Sequence, residues 1–98
     1  MSGTTVTSTS EAEVAPEPAW VLLRRMCAAL NLSQAELARR TGYSTKHINQ
    51  VLQGVAGISV PLAVDLEREL GQQSGVAEAL LSAQTRHDLW QRRRIIAG

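Results

Sequence analysis

The sequence predicts an all-α protein, a compact bundle of about five helices in a chain of 98 residues. Apolar residues recur at steps of three and four, which is the spacing of one helix face. Serines and glycines stand where these stripes begin and end, as helix caps do. Apolar residues make up 44% of the chain and aromatic residues only 3%, with no Phe, so the core is aliphatic and suits closely packed helices.

The chain begins with a segment, 1–16, that is rich in Thr, Ser, Glu and Ala and shows no apolar periodicity, so we predict a disordered tail. The first helix is expected to have Pro18 in its first turn, where Pro is favoured, and to end near Asn31. Arg24 and Arg25 lie off its apolar stripe, on a solvated face or near a phosphate. The stripe consists of Trp20, Leu23, Met26, Cys27 and Leu30.

A capping box predicts where the second helix begins. Ser33 is followed three residues later by Glu36, so each side chain can bond the backbone amide of the other residue. Good helix formers continue as far as Thr41. Gly42 can take a positive φ without steric cost, so we expect it to end a helix that spans 34–41.

The third helix is predicted over 45–53, with Ser44 as its N-cap and Gly54 after its end. The apolar sides of the second and third helices face each other through Leu37, Ala38, Thr41, Ile48, Val51 and Leu52. The opposite side of the third helix carries hydrogen-bonding side chains and no acid. Such a face, held rigidly, is what reading base edges in a major groove requires.

The segment from Leu22 to Leu70 resembles the helix-turn-helix of the Cro/cI-type (Xre) DNA-binding domains. The run from Leu32 to Gly42 is typical of that family, and the chain also matches it at Gln34, Ala38, Ile48, Val51 and Gly54. The resemblance implies a lambda-repressor-like fold that binds double-stranded DNA with its third helix in the major groove.

The resemblance also implies roles for individual side chains. The base-reading residues are expected to be Thr45, Lys46, Asn49 and Gln50. Contacts to the DNA backbone are expected from Gln34, Ser44, His47, Gly57 and Ser59. Gly57 and Ser59 are included because the amides at the start of a helix attract a phosphate.

Two further helices complete the prediction. The fourth starts after the cap Ser59, has Pro61 in its first turn and ends before Gly71, with Ala63, Leu66 and Leu70 on its apolar side. A linker over 72–75 leads to a last helix over 76–93. The predicted organisation is therefore a tail, 1–16, a helix-turn-helix domain, 17–71, and a C-terminal helix with a basic end, 72–98.

The last helix carries more apolar surface than a four-helix core needs. One interpretation is an interface with a second copy or another partner, formed by Leu80, Ala83, His87 and Trp90. The other is that the helix folds back onto helices one and four as a fifth core helix, and both can hold together. The arginines at 92–94 complement the helix dipole, contact phosphate or are solvated.

The run from Ser82 to Trp90 is similar to the C-terminal helix of HigA-type antitoxins, in which a Gln-x-Arg-x-Asp-Leu-Trp pattern is frequent. That similarity implies a small toxin protein as a partner. The chain departs from the pattern in two places: the loop at 72–75 is longer, and no His-Pro-Gly precedes the first helix.

Net charge is only +1, but the ten basic residues all lie after residue 19, where six acidic residues oppose them. This excess is adequate for a compact domain that touches a few phosphates. We predict no membrane contact, because no apolar run approaches the roughly 20 residues that span a bilayer. No signal peptide is evident, and the expected location is the cytoplasm of a bacterium or the host of a phage.

The sequence predicts neither an enzyme nor a metal or cofactor site. His47 and His87 have no ligand partners at metal-binding spacing. Ser82, His87 and Asp88 lie within two helical turns, where a catalytic triad cannot form, and no Gly-rich phosphate loop is present. Cys27 is one cysteine alone, so we expect a small core hydrophobe.

Two hypotheses for function follow. The first is a sequence-specific repressor that binds a two-fold operator as a homodimer, of which a phage Cro or immunity repressor is a variant. The second is an antitoxin of a type II toxin–antitoxin pair, which neutralises its toxin and represses its own operon.

Overall fold

A computed structural model describes residues 14–71 and 75–97. Within these two ranges the chain forms five helices and no strand, which confirms the all-α prediction. The helices are α1 Ala19–Ala29, α2 Gln34–Thr41, α3 Thr45–Leu52, α4 Val60–Leu70 and α5 Val76–Ala97. The predicted tail up to residue 13, and most of the predicted linker, 72–74, lie outside the described residues.

Three serines cap helices as predicted. Ser33 and Glu36 form the capping box, in which the Glu36 amide N lies 3.1 Å from the Ser33 hydroxyl oxygen. The hydroxyl of Ser44 accepts from the His47 amide at 3.0 Å, and that of Ser59 from the Leu62 amide at 3.2 Å. Gly42 has a φ of +80° and ends α2 in the left-handed region that glycine enters without strain.

The bounds of α1 differ from the prediction at both ends. Pro18 is the N-cap and does not lie inside the first turn. The helix ends at Ala29 because Asn31 takes a left-handed φ of +55°, a conformation that Asn tolerates. The Leu32 amide then bonds the Cys27 carbonyl at 2.9 Å, which is the closing bond of a Schellman motif.

The ends of α3 and α5 also differ from their predicted positions. Gln53, predicted as the last residue of α3, is its C-cap. The last helix continues to Ala97, four residues beyond the predicted end at Arg93, because no Gly or Pro interrupts it before Gly98.

The core is formed by aliphatic side chains from all five helices. Its largest fully buried members are Leu23, Leu37, Ile48, Leu62, Leu66, Leu80 and Val51. The most extensive packing is between α4 and α5; α1 packs against α5 and α3, and α2 packs against α3 and α4. The last helix is thus a fifth core helix, which confirms the second of its two interpretations.

Helix α5 divides into a packed half and a projecting half. Leu80 is fully buried and Ala83 is 5% exposed, so the core of the chain itself takes up two residues expected at a partner interface. From Gln84 to Ile95 every side chain is half-buried or exposed. Among the described residues, none of the helices combines the length and apolarity that a bilayer crossing requires.

A carboxylate from α4 caps the start of α5. One oxygen of Glu67 accepts from the Gly75 amide at 3.0 Å and from the Ala77 amide at 3.1 Å. The first amides of a helix lack partners inside the helix, so this carboxylate satisfies them and complements the helix dipole. The contact fixes where α5 begins relative to α4.

Candidate nucleic-acid interface

The second helix braces the third through one side-chain pair and the apolar contact behind it. Nδ2 of Asn49 donates to Oε1 of Gln34 at 3.1 Å, and this bond joins the first residue of α2 to the middle of α3. Behind it, Ala38 and Ile48 are buried, at 4% and 0% exposure. The small side chain of Ala38 permits the close approach, so α3 is held with its polar side outward.

The polar side of α3 faces solvent where a base-reading helix needs it to. Thr45 and Lys46, in the first turn, are exposed, whereas Asn49 and Gln50 are half-buried. None of these four residues is acidic, so nothing on this side repels phosphate. The structure therefore brings all four predicted base-reading residues onto one accessible strip of one helix.

The Gln34–Asn49 bond determines which atoms of the two side-chain amides remain available to other partners. Because Oε1 of Gln34 is occupied, its Nε2 remains as the donor available to a phosphate. Asn49 keeps one N–H and its carbonyl oxygen for a base edge. Sequence reasoning placed both residues at the interface but did not show that they bond to each other.

At the turn between α2 and α3, the ring of His47 stacks on Tyr43, with centroids 5.4 Å apart and planes inclined by 21°. Ser44 is exposed, and its hydroxyl oxygen caps α3 while its own hydrogen remains free to donate. The predicted backbone contacts Ser44 and His47 thus lie together at the N-terminal end of α3. Tyr43 was not predicted to support them.

The C-terminal end of α3 is held by α1. Nε of Arg24 donates to the Leu52 carbonyl at 2.6 Å, and its guanidinium lies 5.6 Å from the centre of the Trp20 ring. Arg24 is exposed, as expected of a solvated side chain, and it also satisfies one of the unpaired carbonyls at a helix end, a contact that was not predicted. Arg25 instead pairs with Glu17, whose hydrogen bond and charge raise the pKa of that guanidinium.

Gly54, directly after α3, adopts a φ of +77° and lies under the indole of Trp20. A Cβ on this residue would stand 2.6 Å from the indole Nε1, closer than any such contact allows. The sequence indicated the turn but not the indole above it. The tryptophan therefore packs over the C-terminal end of α3 as well as belonging to the stripe of α1.

The loop between α3 and α4 is fixed from α5 by a two-pronged amide contact. Oε1 of Gln84 accepts from the Ile58 amide at 2.6 Å, and its Nε2 donates to the Ile58 carbonyl at 2.9 Å. The flanking residues Gly57 and Ser59, both predicted to contact DNA backbone, are exposed. Sequence reasoning included Gln84 only as the first residue of the Gln-x-Arg-x-Asp-Leu-Trp pattern and did not predict its contact with Ile58, because periodicity does not show which backbone group a polar side chain will meet.

Beyond Gln84, the two remaining residues predicted at a partner interface lie on the projecting half of α5. Nδ1 of His87 is 3.1 Å from the Pro16 carbonyl, and its ring stacks on Trp90 with centroids 5.9 Å apart. The guanidinium of Arg94 lies 4.6 Å from the centre of the Trp90 ring. This part of α5 therefore presents a half-buried aromatic pair with an exposed guanidinium over one ring.

A groove of about 550 Å³ lies between the start of α1, the loop after α3 and α5. Its lining includes Trp20, Gly54, Gly57, Gln84 and Gln91. Over the two described ranges, no group of three His, Cys, Asp or Glu side chains is placed to hold a metal ion.

Comparison with known proteins adds two findings. A family model for helix-turn-helix domains matches residues 23–80, more than half of the chain. The fold is similar to the crystal structure of a protein from Nostoc punctiforme described as an antidote protein of a plasmid maintenance system. That similarity has a TM-score of 0.75 at 25% identity and covers 86% of this chain and 89% of the other. No curated protein matches the sequence.

Proposed function

The chain belongs to the Cro/cI-type helix-turn-helix family of DNA-binding regulators, and from this premise we propose that it is a sequence-specific repressor. It acts in the cytoplasm as a homodimer that places α3 in the major groove of an operator. The observation that carries the proposal is the acid-free polar strip of α3, braced by α2 and held at its end by α1. The family is normally non-enzymatic, and we assign the chain no reaction and no cofactor.

The proposed contacts fall into two classes. Thr45 and Lys46 enter the groove first, and Gln50 lies one turn further, where its amide pairs with adenine through two hydrogen bonds. Gln34 donates its remaining amide hydrogens to a phosphate, which sets the register of the protein on the duplex without reading sequence.

Selection of bound fragments from a random pool of duplex DNA tests the proposal directly. A chain that enriches no sequence and binds no oligonucleotide at low ionic strength is not a DNA-binding repressor. If a site emerges, its two halves are expected about one helical turn apart, roughly 34 Å, as a symmetric dimer requires.

Substitution of one residue from each class tests the docking. We expect Gln50→Ala to relax the preference at one base position at a cost of about 1–3 kcal/mol, whereas Gln34→Ala weakens binding to all sequences alike. Gln91→Ala, an exposed amide on α5, is the matched control. A uniform loss from Gln50→Ala, or an altered base preference from Gln34→Ala, contradicts the assigned docking.

A second candidate function is a protein-neutralising antitoxin that also represses its own operon. The likeness to the Nostoc punctiforme protein, over most of both chains, favours it. The projecting half of α5, with its His87–Trp90 pair, is the surface we assign to the toxin. Co-expression with the product of an adjacent short reading frame tests this: relief of growth arrest supports an antitoxin, and unrelieved arrest refutes it.

A further inference from the structure

We propose that Gln84 is a positioning residue for DNA binding, which holds the loop after the recognition helix so that its backbone faces the phosphates. The inference rests on the proposed function and goes beyond it, because Gln84 lies on α5, outside the segment 23–80 that the helix-turn-helix family model matches. Gln84 itself touches no DNA in this arrangement; it acts through Ile58.

The contact between Gln84 and Ile58 uses both backbone groups of Ile58. The Gln84 amide offers one acceptor and two donors, and it binds both backbone groups of Ile58, at 2.6 and 2.9 Å. The Ile58 side chain is 4% exposed and packs in the core. The residue is therefore fixed on both sides, by its side chain inward and by its peptide groups to α5.

The residues on either side of Ile58 are those expected to face the phosphates. Gly57 precedes it, and a Cβ there would stand 3.3 Å from Oε1 of Gln84, so a larger residue would press on the contact. Ser59 follows and caps α4 through the Leu62 amide. Since Pro61 has no N–H, the amide of Val60 is the donor that remains in the first turn of α4 for an outside acceptor.

The other end of the loop is held by α3. The Val55 and Ala56 amides both bond the Gln50 carbonyl, at 2.9 and 3.1 Å, so the loop begins on α3 itself. Local bonds thus fix its start, whereas its second half is tied through Ile58 to a helix 26 residues further along the chain. Loss of the Gln84 amide releases the peptide groups of Ile58 from α5 and so loosens the backbone between Gly57 and Ser59.

Gln84→Met tests the proposal, because methionine keeps the length and packing of the side chain and removes the amide. Gln91→Met, an exposed residue two turns later that lines the same groove, is the matched control. We expect Gln84→Met to weaken binding to operator and to random duplex alike, about three- to tenfold, as loss of these bonds predicts.

The salt dependence of binding separates positioning from mere stability. Because the freed loop of Gln84→Met no longer holds its phosphate, the plot of log affinity against log salt is expected to become shallower by about 1, with the base preference unchanged. A fold that is only less stable leaves that slope unaltered well below the unfolding temperature. Unchanged affinity and slope in folded Gln84→Met overturn the inference.

Hydrogen exchange at the Ile58 amide tests the contact without DNA. We expect protection in the parent chain and in Gln91→Met, and fast exchange in Gln84→Met. Fast exchange in the parent overturns the inference, whereas a protected amide in a chain that binds no DNA refutes the proposed function alone. If Gln84→Met does not fold, Gln84→Glu replaces it: it retains an acceptor for the Ile58 N–H and loses the donor, so protection with weakened binding is expected.

Discussion

Two glycines of the helix-turn-helix provide a matched experiment on backbone strain and steric crowding. Gly42 and Gly54 have nearly the same φ, +80° and +77°. A Cβ at Gly42 meets nothing within 4 Å, whereas at Gly54 it lies 2.6 Å from Nε1 and 2.8 Å from Cδ1 of Trp20. The two Gly→Ala substitutions therefore share one cost, and only the second adds a collision.

The magnitudes follow from that geometry. A left-handed residue with a Cβ costs about 1–2 kcal/mol, and a loss of unfolded-state entropy offsets roughly 0.4–1 kcal/mol of it. Gly42→Ala should therefore destabilise the fold by up to about 1.6 kcal/mol. Gly54→Ala must also displace the Trp20 indole, and overpacking of this kind adds about 1–3 kcal/mol.

Thermal and urea unfolding followed by circular dichroism measure both variants. At about 4–8 °C per kcal/mol for a domain of this size, the midpoint of Gly54→Ala should lie at least several degrees below that of Gly42→Ala. In a Trp20→Leu background the excess cost should disappear, because the colliding atoms are gone. Equal costs in the parent chain, or an excess that persists without the indole, refute this reasoning.

Three further predictions concern α1 and α5. Glu67→Ala should lower the free energy of unfolding by about 0.5–2 kcal/mol, because the cap on α5 is lost, whereas the control Glu69→Ala should leave it nearly unchanged. Urea unfolding measures both. Burial raises the pKa of the Cys27 thiol, so it stays protonated, and its reaction with a disulfide reagent at pH 8 should be much slower in the native chain than in denaturant; equal rates contradict its burial. Trp90→Ala should convert a dimer to a monomer in sedimentation, and a parent chain that is already monomeric removes the proposed C-terminal interface.

The features predicted correctly from the sequence depend on neighbours a few residues apart. A capping box such as Ser33–Glu36 needs only a spacing of three, and a left-handed end such as Gly42 needs only the absence of a Cβ. The buried sides of α2 and α3 follow from helical periodicity for the same reason. Fold class and the polar strip of α3 could therefore both be predicted from the chain.

The contacts that could not be predicted join residues far apart in sequence. Arg24 and Leu52 are 28 residues apart, and Ile58 and Gln84 are 26 apart. Periodicity indicates which side of a helix is apolar, but it does not show which backbone group a polar side chain will meet on another element. For the same reason the stripe of α5 left two interpretations open, and packing places Leu80 in the core.

Helix α5 carries both the anchor of the loop proposed to contact DNA and the half-buried His87–Trp90 pair. Gln84, which bonds the Ile58 backbone, lies three residues before His87, whose ring stacks on Trp90. The two residues therefore lie on the same side of the helix, about one turn apart. A protein that binds at His87 and Trp90 therefore contacts the turn next to the loop anchor, and any shift it imposes on α5 reaches Ile58 through two hydrogen bonds. If a partner binds the C-terminal surface as proposed, we expect its occupancy to change the affinity for DNA in the parent chain and not in Gln84→Met, as DNA titrations with and without that partner would show.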